Sequence, residues 1–129
     1  GEPNGYMRIA SLPWFIAPGA ANPGLDVLLD HLEHAASIIG ADRIVLGTDF
    51  FPADTRFPEE LLSYYKRHII ELGFDREAVE AREIAAGLGE FTTYEEWPAL
   101  RRAVEDRFPA TRIRGILGEN FLRFWERAV

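Results

Sequence analysis

The sequence contains no cysteine, which removes disulfides, thiolate zinc sites and a cysteine nucleophile together and leaves the redox compartment open. No apolar run approaches the roughly 20 residues that span a bilayer. The opening "GEPNG" is polar and turn-forming, unlike a secretion signal, and the balance leans slightly to a cytoplasmic location. Basic residues are scarce, with 14 Lys and Arg against 21 Asp and Glu for a formal charge of −7, so a nucleic-acid groove or an anionic membrane surface is a poor partner. Internal repeats and low-complexity tracts are absent as well. Without an initiator Met, the chain is expected to be a processed product or part of a longer polypeptide.

What is present suits one globular domain: 129 residues, 47% hydrophobic and 12% aromatic. "YMRIAS" (6–11) alternates and carries β-capable residues, which predicts a short strand. "LPWFIAPGAANPG" (12–24) holds Pro13, Pro18 and Pro23 and reads as a long, aromatic-bearing loop. Loops of that length inside compact domains are uncommon and often functional. In "LDVLLDHLEHAASIIG" (25–40), Leu25, Leu28, Leu29, Leu32, Ala36 and Ile39 recur at helical spacing, and Gly40 stands at the expected stop. "RIVLGT" (43–48) is continuously apolar at its centre and predicts a buried strand. Strand, crossover helix and strand form one βαβ unit with parallel strands.

The remainder predicts helices. Pro58 opens one that closes at Gly73, and Asp75 is a candidate N-cap for the next, with Gly87 and Gly89 as stops. Thr93 and Glu96 have capping-box spacing, and Pro98 falls where a first turn tolerates it. The last segment, "PATRIRGILGENFLRFWERAV" (109–129), is apolar at Ile113, Ile116, Leu117, Phe121 and Phe124.

Two strands do not make a stable parallel sheet, and such sheets are normally covered on both faces. One βαβ unit with a helical tail therefore predicts an α/β chain that forms the C-terminal portion of a (β/α)8 TIM-type barrel, a fold of about 250 residues. In that fold the chemistry sits at the C-terminal ends of strands, which is the address of Asp49 in "ADRIVLGTDFFP". A carboxylate there can shuttle a proton, bind a metal or clamp a substrate ammonium; it can equally cap a turn. Phe50 and Phe51 behind it would lower the local dielectric. Trp14 and Phe15, in the loop after the first strand, share the address and are candidate pocket walls or packing plugs.

Three motifs in order, "LDHLEHAASIIG", "ADRIVLGTDF" and "TRIRGILGENFLRFW", resemble the C-terminal portion of the membrane (renal) dipeptidase family. Asp30, His31, Gly40, Asp42, Val45, Gly47, Asp49 and Phe50 match its helix and strand motifs. Ile113, Ile116, Leu117, Gly118, Asn120, Phe121, Leu122 and Arg123 match its closing helix. The resemblance covers nearly the whole chain. It implies that residues 1–129 are the C-terminal segment of a single metallo-hydrolase barrel domain. Family members are zinc-dependent dipeptidases, in which a hydroxide bridging two metals attacks the peptide carbonyl. By resemblance Asp49 handles the proton or amine of the leaving group. The two zinc ions and the arginine for the substrate carboxylate are served by earlier strands, so the metal ligands lie outside this chain. The implied partners are a dipeptide or similar small substrate and the missing N-terminal part of the barrel, and a homodimer is compatible with the resemblance. By itself the polypeptide is expected to be inactive.

One departure concerns the loop over the site. The family often reads "D-F-D-G" where this chain has "DFFP", so Phe51 replaces an acidic residue and Pro52 a glycine. That implies a different pocket shape. "GADRIVLGTDFFP" is also similar to the last-strand motif of the metal-dependent amidohydrolase/decarboxylase family, where the Asp is a metal ligand or base. That motif lies near the end of its chain, whereas about 80 residues follow it here, which favours the dipeptidase resemblance.

Other residues carry plainer readings. His31 and His34 sit beside the apolar face and are expected to pack or to hydrogen-bond a neighbouring helix; a paired-His zinc site would need a third ligand. His68 fits a helix C-terminus, Tyr64 and Tyr65 a helix face, and Arg101–Arg102 a solvated surface. Asn120 is expected to bind backbone groups and Arg123 to pair with an acidic neighbour. The alternative class is a non-catalytic, mainly helical module that binds a protein through its uncovered strands.

Overall fold

The computed structural model describes residues 5–18, 20, 22–49, 58–81 and 87–129. Its sheet is a parallel pair, β1 (Met7–Ala10) and β2 (Ile44–Gly47), with Met7 opposite Ile44 and Ala10 opposite Gly47. Between them run the short helix α1 (Pro13–Ile16) and the crossover helix α2 (Leu25–Ile39). The predicted loop over 12–24 thus contains one helical turn. Pro13 opens it, because a first turn leaves its N–H groups unpaired and proline has none to lose.

Strand alternation divides the sheet into two faces. Ile9, Ile44 and Leu46 belong to the main core, which α2 completes with Leu28, Leu29, Leu32 and Ala35. Leu25, Ala36 and Ile39 are only half-buried, so the buried stripe of α2 is turned slightly from the one its sequence suggests. Arg8, Val45 and Gly47 alternate onto the opposite face of the sheet, and Val45 is buried without joining either hydrophobic cluster.

After β2 come α3 (Glu59–Glu71), α4 (Arg76–Glu80) and α5 (Trp97–Arg107). Asp75 caps α4 as expected, its Oδ1 accepting from the Ala78 N–H at 2.9 Å. Residues 82–86, within the longer helix predicted there, lie outside the described residues. A tight turn at Leu88–Phe91 buries both of its end residues in the main core, with Leu100, Val104 and Phe108 from α5 and its end. A smaller cluster joins Trp14 of α1 to Ile69 of α3 and Val79 of α4. The Arg107 guanidinium ties α5 to α2 by pairing with Asp30 and, at 2.8 Å, with Glu33.

The C-terminal segment is not one helix. Helix α6 (Ala110–Arg114) passes through a widened turn at Gly115–Glu119, non-helical at Gly118, into α7 (Asn120–Ala128). The break lets Asn120 turn inward. Its Nδ2 donates to the carbonyls of Ala41 at 2.8 Å and Ile44 at 2.7 Å, tying the tail to the entry of β2. Gly115 makes room for it, since a Cβ there would lie 2.7 Å from Asn120 Oδ1. Arg123 donates to that same Oδ1 rather than pairing with an acidic neighbour.

Beyond Asn120 the apolar expectation fails in burial. Ile116 is in the core, but Phe121 and Phe124 are 43% and 39% exposed. With Trp125 and Leu122 they form an apolar ridge, and Tyr6 packs on Phe124 at a ring separation of 5.4 Å.

Two stability predictions follow from these ties. Asn120→Ala leaves two carbonyls at the core edge without their donor and lowers the unfolding free energy by about 2–3 kcal/mol, read from urea denaturation. The expected capping box is also present: Glu96 Oε2 accepts from the Thr92 hydroxyl at 2.9 Å and the Thr93 N–H at 3.0 Å. Bonds from the Thr92 backbone, then its hydroxyl, then the Thr93 backbone hold the Glu96 carboxyl below its ordinary 4.5. A lowered carboxyl stabilises the fold above its unfolded value and loses that contribution as pH falls through the folded one. The gap in melting temperature between wild type and Glu96→Gln is therefore widest above about pH 4.5 and closes below it.

Candidate functional site

The parallel pair brings the C-terminal ends of β1 and β2 side by side. Ser11, just past β1, is buried; its N–H donates to the Gly47 carbonyl at 3.0 Å and its hydroxyl to the Thr48 carbonyl at 2.8 Å. These bonds fasten the turn after β2 at the point where the chain leaves the sheet. Thr48 in turn donates its hydroxyl to Tyr94 Oη at 3.0 Å, so the turn before α5 reaches the same place. Asp49 follows with φ 54, the one non-glycine residue in the left-handed region among the described residues. Aspartate tolerates that region better than most side chains, but the conformation still has a cost that neighbouring contacts must offset.

The carboxylate of Asp49 pairs with the guanidinium of Arg8. Arg8 lies opposite Val45 in the register, and its side chain runs over Gly47 on the sheet face away from α2. A Cβ on Gly47 would overlap the Arg8 Nε, so a larger residue there would require the guanidinium to shift. Both side chains keep substantial solvent contact, 55% for Arg8 and 38% for Asp49, so the pair contributes little to stability. Its value lies in where it holds the carboxylate.

The other residues predicted for the site are distributed differently. Trp14 is 3% exposed and lies inside the smaller cluster, whereas Phe15 is half exposed with its ring edge-on to Phe74 at 5.8 Å. Phe50 and Phe51 lie outside the described residues. Arg8, Ser11 and Tyr94 are additions that the sequence reading missed. Period-2 alternation places Arg8 opposite Ile9, but its approach to Asp49 depends on the register between strands 37 residues apart.

No protein-family profile, curated protein or solved structure matches this chain.

The three histidines lie apart from one another in the roles they take. The Nε2–H of His31 donates to the Ile16 carbonyl at 2.9 Å, docking α2 on α1 as expected. His34 is exposed, and His68 lies in the last turn of α3, stacked on Tyr64. Among the described residues no three His, Asp or Glu side chains converge to hold a metal. The described residues do not by themselves fit a zinc pair. A cleft of about 510 Å3 between α3 and α4 is lined by Lys66, Arg76, Glu80 and neighbours. Its charges are spent internally: Lys66 donates to the Glu80 carbonyl and Arg76 to the Glu80 carboxylate, each at 3.1 Å.

The left-handed backbone at Asp49 has a measurable signature. Asp49→Gly is expected to unfold at a stability about 1 kcal/mol above that of Asp49→Ala, because glycine takes positive φ without a Cβ penalty. Urea denaturation of the two variants, compared directly, checks this.

Proposed function

We propose that this chain is the C-terminal part of a metal-dependent dipeptidase-like hydrolase with a (β/α)8 barrel, and that Asp49 is its contribution to the chemistry. The observation that carries the reading is the position of Asp49: directly after the second strand of a parallel pair, fastened through Ser11 and Thr48, and turned over the sheet face opposite the helical core. In a barrel that face is the interior and that end is the catalytic mouth. The three motifs described above support the same reading. So does the short sheet, whose two strands need further strands beside them.

The zinc pair, held by residues outside this chain, would polarise the peptide carbonyl and activate water. Asp49 takes a proton from the attacking water and returns it to the leaving nitrogen, so one water is consumed and the carboxylate is regenerated. Phe15, half exposed after β1, would help to shape what enters. The amidohydrolase/decarboxylase alternative keeps Asp49 at the same place with a different partner set.

A second reading has its own observation. The apolar ridge of α7, with Phe121, Leu122 and Trp125 exposed, suits a non-catalytic module that binds a protein through this helix.

The complete protein is expected to hydrolyse dipeptides with zinc added, and this chain alone is expected not to. Asp49→Asn in the complete protein lowers kcat by at least about 100-fold, the lower range for losing a positioned acid–base group. Unchanged turnover in that variant would remove Asp49 from the chemistry. A cooperatively folded chain purified from its source without any second polypeptide would favour the binding module.

A further inference from the structure

Arg8 is not among the residues matched to the family motifs, and on alternation alone it would be a cation on the sheet face away from α2. Three placements give it a destination. The register sets Arg8 beside Val45, on the same face as Gly47 two residues further along. Gly47 leaves the guanidinium its present path, from which a Cβ would displace it. Beyond it, the left-handed backbone of Asp49 accompanies a carboxylate turned back over that face, where it meets Arg8. A residue from β1, one from β2 and one from the turn after β2 thus serve a single contact.

We infer that Arg8 is the positioning residue for Asp49. It holds the carboxylate in one orientation at the strand ends, as a proton acceptor, and keeps it from acting as a clamp for a substrate ammonium. The inference rests on the hydrolase reading, in which Asp49 carries the proton, and names the residue that orients it for that task. An ammonium approaching the paired carboxylate meets the guanidinium as well, and like charges at that separation repel. The guanidinium also lowers the proton affinity of the carboxylate, but it leaves a site for the proton, because one carboxylate oxygen can accept from Arg8 while the other faces the reacting water. Since both side chains are partly solvated, loss of the pair costs the fold little and its effect is expected in function.

The test has two arms. In the 129-residue chain, Arg8→Met is expected to move the 13C resonance of the Asp49 side-chain carboxyl, and Arg8→Lys to move it less. A resonance that stays in place in Arg8→Met overturns the inference whatever the turnover. In the complete protein, Arg8→Met is expected to lower kcat about 10- to 100-fold on a free-amine dipeptide, with KM within about threefold, the size of effect a misplaced proton acceptor produces. Arg8→Lys recovers part of the loss, and Arg8→Met adds nothing to Asp49→Asn. Gly47→Ala, which displaces Arg8 while leaving both charged groups intact, gives the same kcat loss and guards against misfolding of the first variant. A lower KM with kcat preserved in Arg8→Met would make Asp49 an ammonium clamp and overturn the inference. So would losses that multiply between Arg8→Met and Asp49→Asn. If the wild-type complete protein hydrolyses no dipeptide while the resonance moves as expected, the hydrolase reading falls and the positioning of Asp49 by Arg8 stands.

Discussion

The register between β1 and β2 is the constraint on which the rest depends. With Met7 opposite Ile44, the apolar residues Ile9, Ile44 and Leu46 face α2, and Arg8, Val45 and Gly47 face the other way. A slip by one residue would exchange the faces, burying Arg8 against Leu28 and Leu32 and turning Ile9 outward. Burial of the leucine stripe therefore selects the register, and the register selects what stands on the opposite face. The site at the strand ends inherits its geometry from core packing several residues away.

The second constraint is the tie made by Asn120. A helix running unbroken from Ala110 would have to carry its buried amide past the point where the carbonyls of Ala41 and Ile44 wait. The widened turn at 115–119 solves this at the cost of regular hydrogen bonding, and Gly115 removes the Cβ that would block it. Fixing the tail there anchors the start of β2, but it also directs α7 outward with its aromatic face uncovered. An apolar ridge of that kind is expensive to leave in water and is expected to meet further protein, either the rest of a barrel or a separate partner.

At Asp49 local backbone preference and the position of the carboxylate pull in opposite directions. The backbone there occupies a region that glycine would adopt at less cost, and the ion pair with Arg8 is too solvated to repay much of it. Conformational cost accepted for a side chain's position is the pattern expected at a working site, where local rules are broken for the sake of geometry.

Much of the secondary structure was legible in the chain because its causes are local. Alternation marked β1, leucine spacing marked α2, Asp75 announced the cap of α4, and the pairing of Thr93 with Glu96 announced the start of the turn before α5. Each depends on residues within a few positions of one another. The same is true of Asp49 as a strand-end carboxylate, which its sequence neighbours alone suggest. What the chain could not show is which distant residues meet. That Arg8 reaches Asp49, that Tyr94 receives the Thr48 hydroxyl, and that Asn120 closes on Ala41 and Ile44 all join segments tens of residues apart. So too with Trp14, whose loop suggested a pocket wall and whose ring ended in the cluster with Ile69 and Val79. Local sequence determines backbone preference because its energies act within a turn or a strand. Only the folded core decides the partners, because it alone sets the register and the helix breaks that bring them within reach.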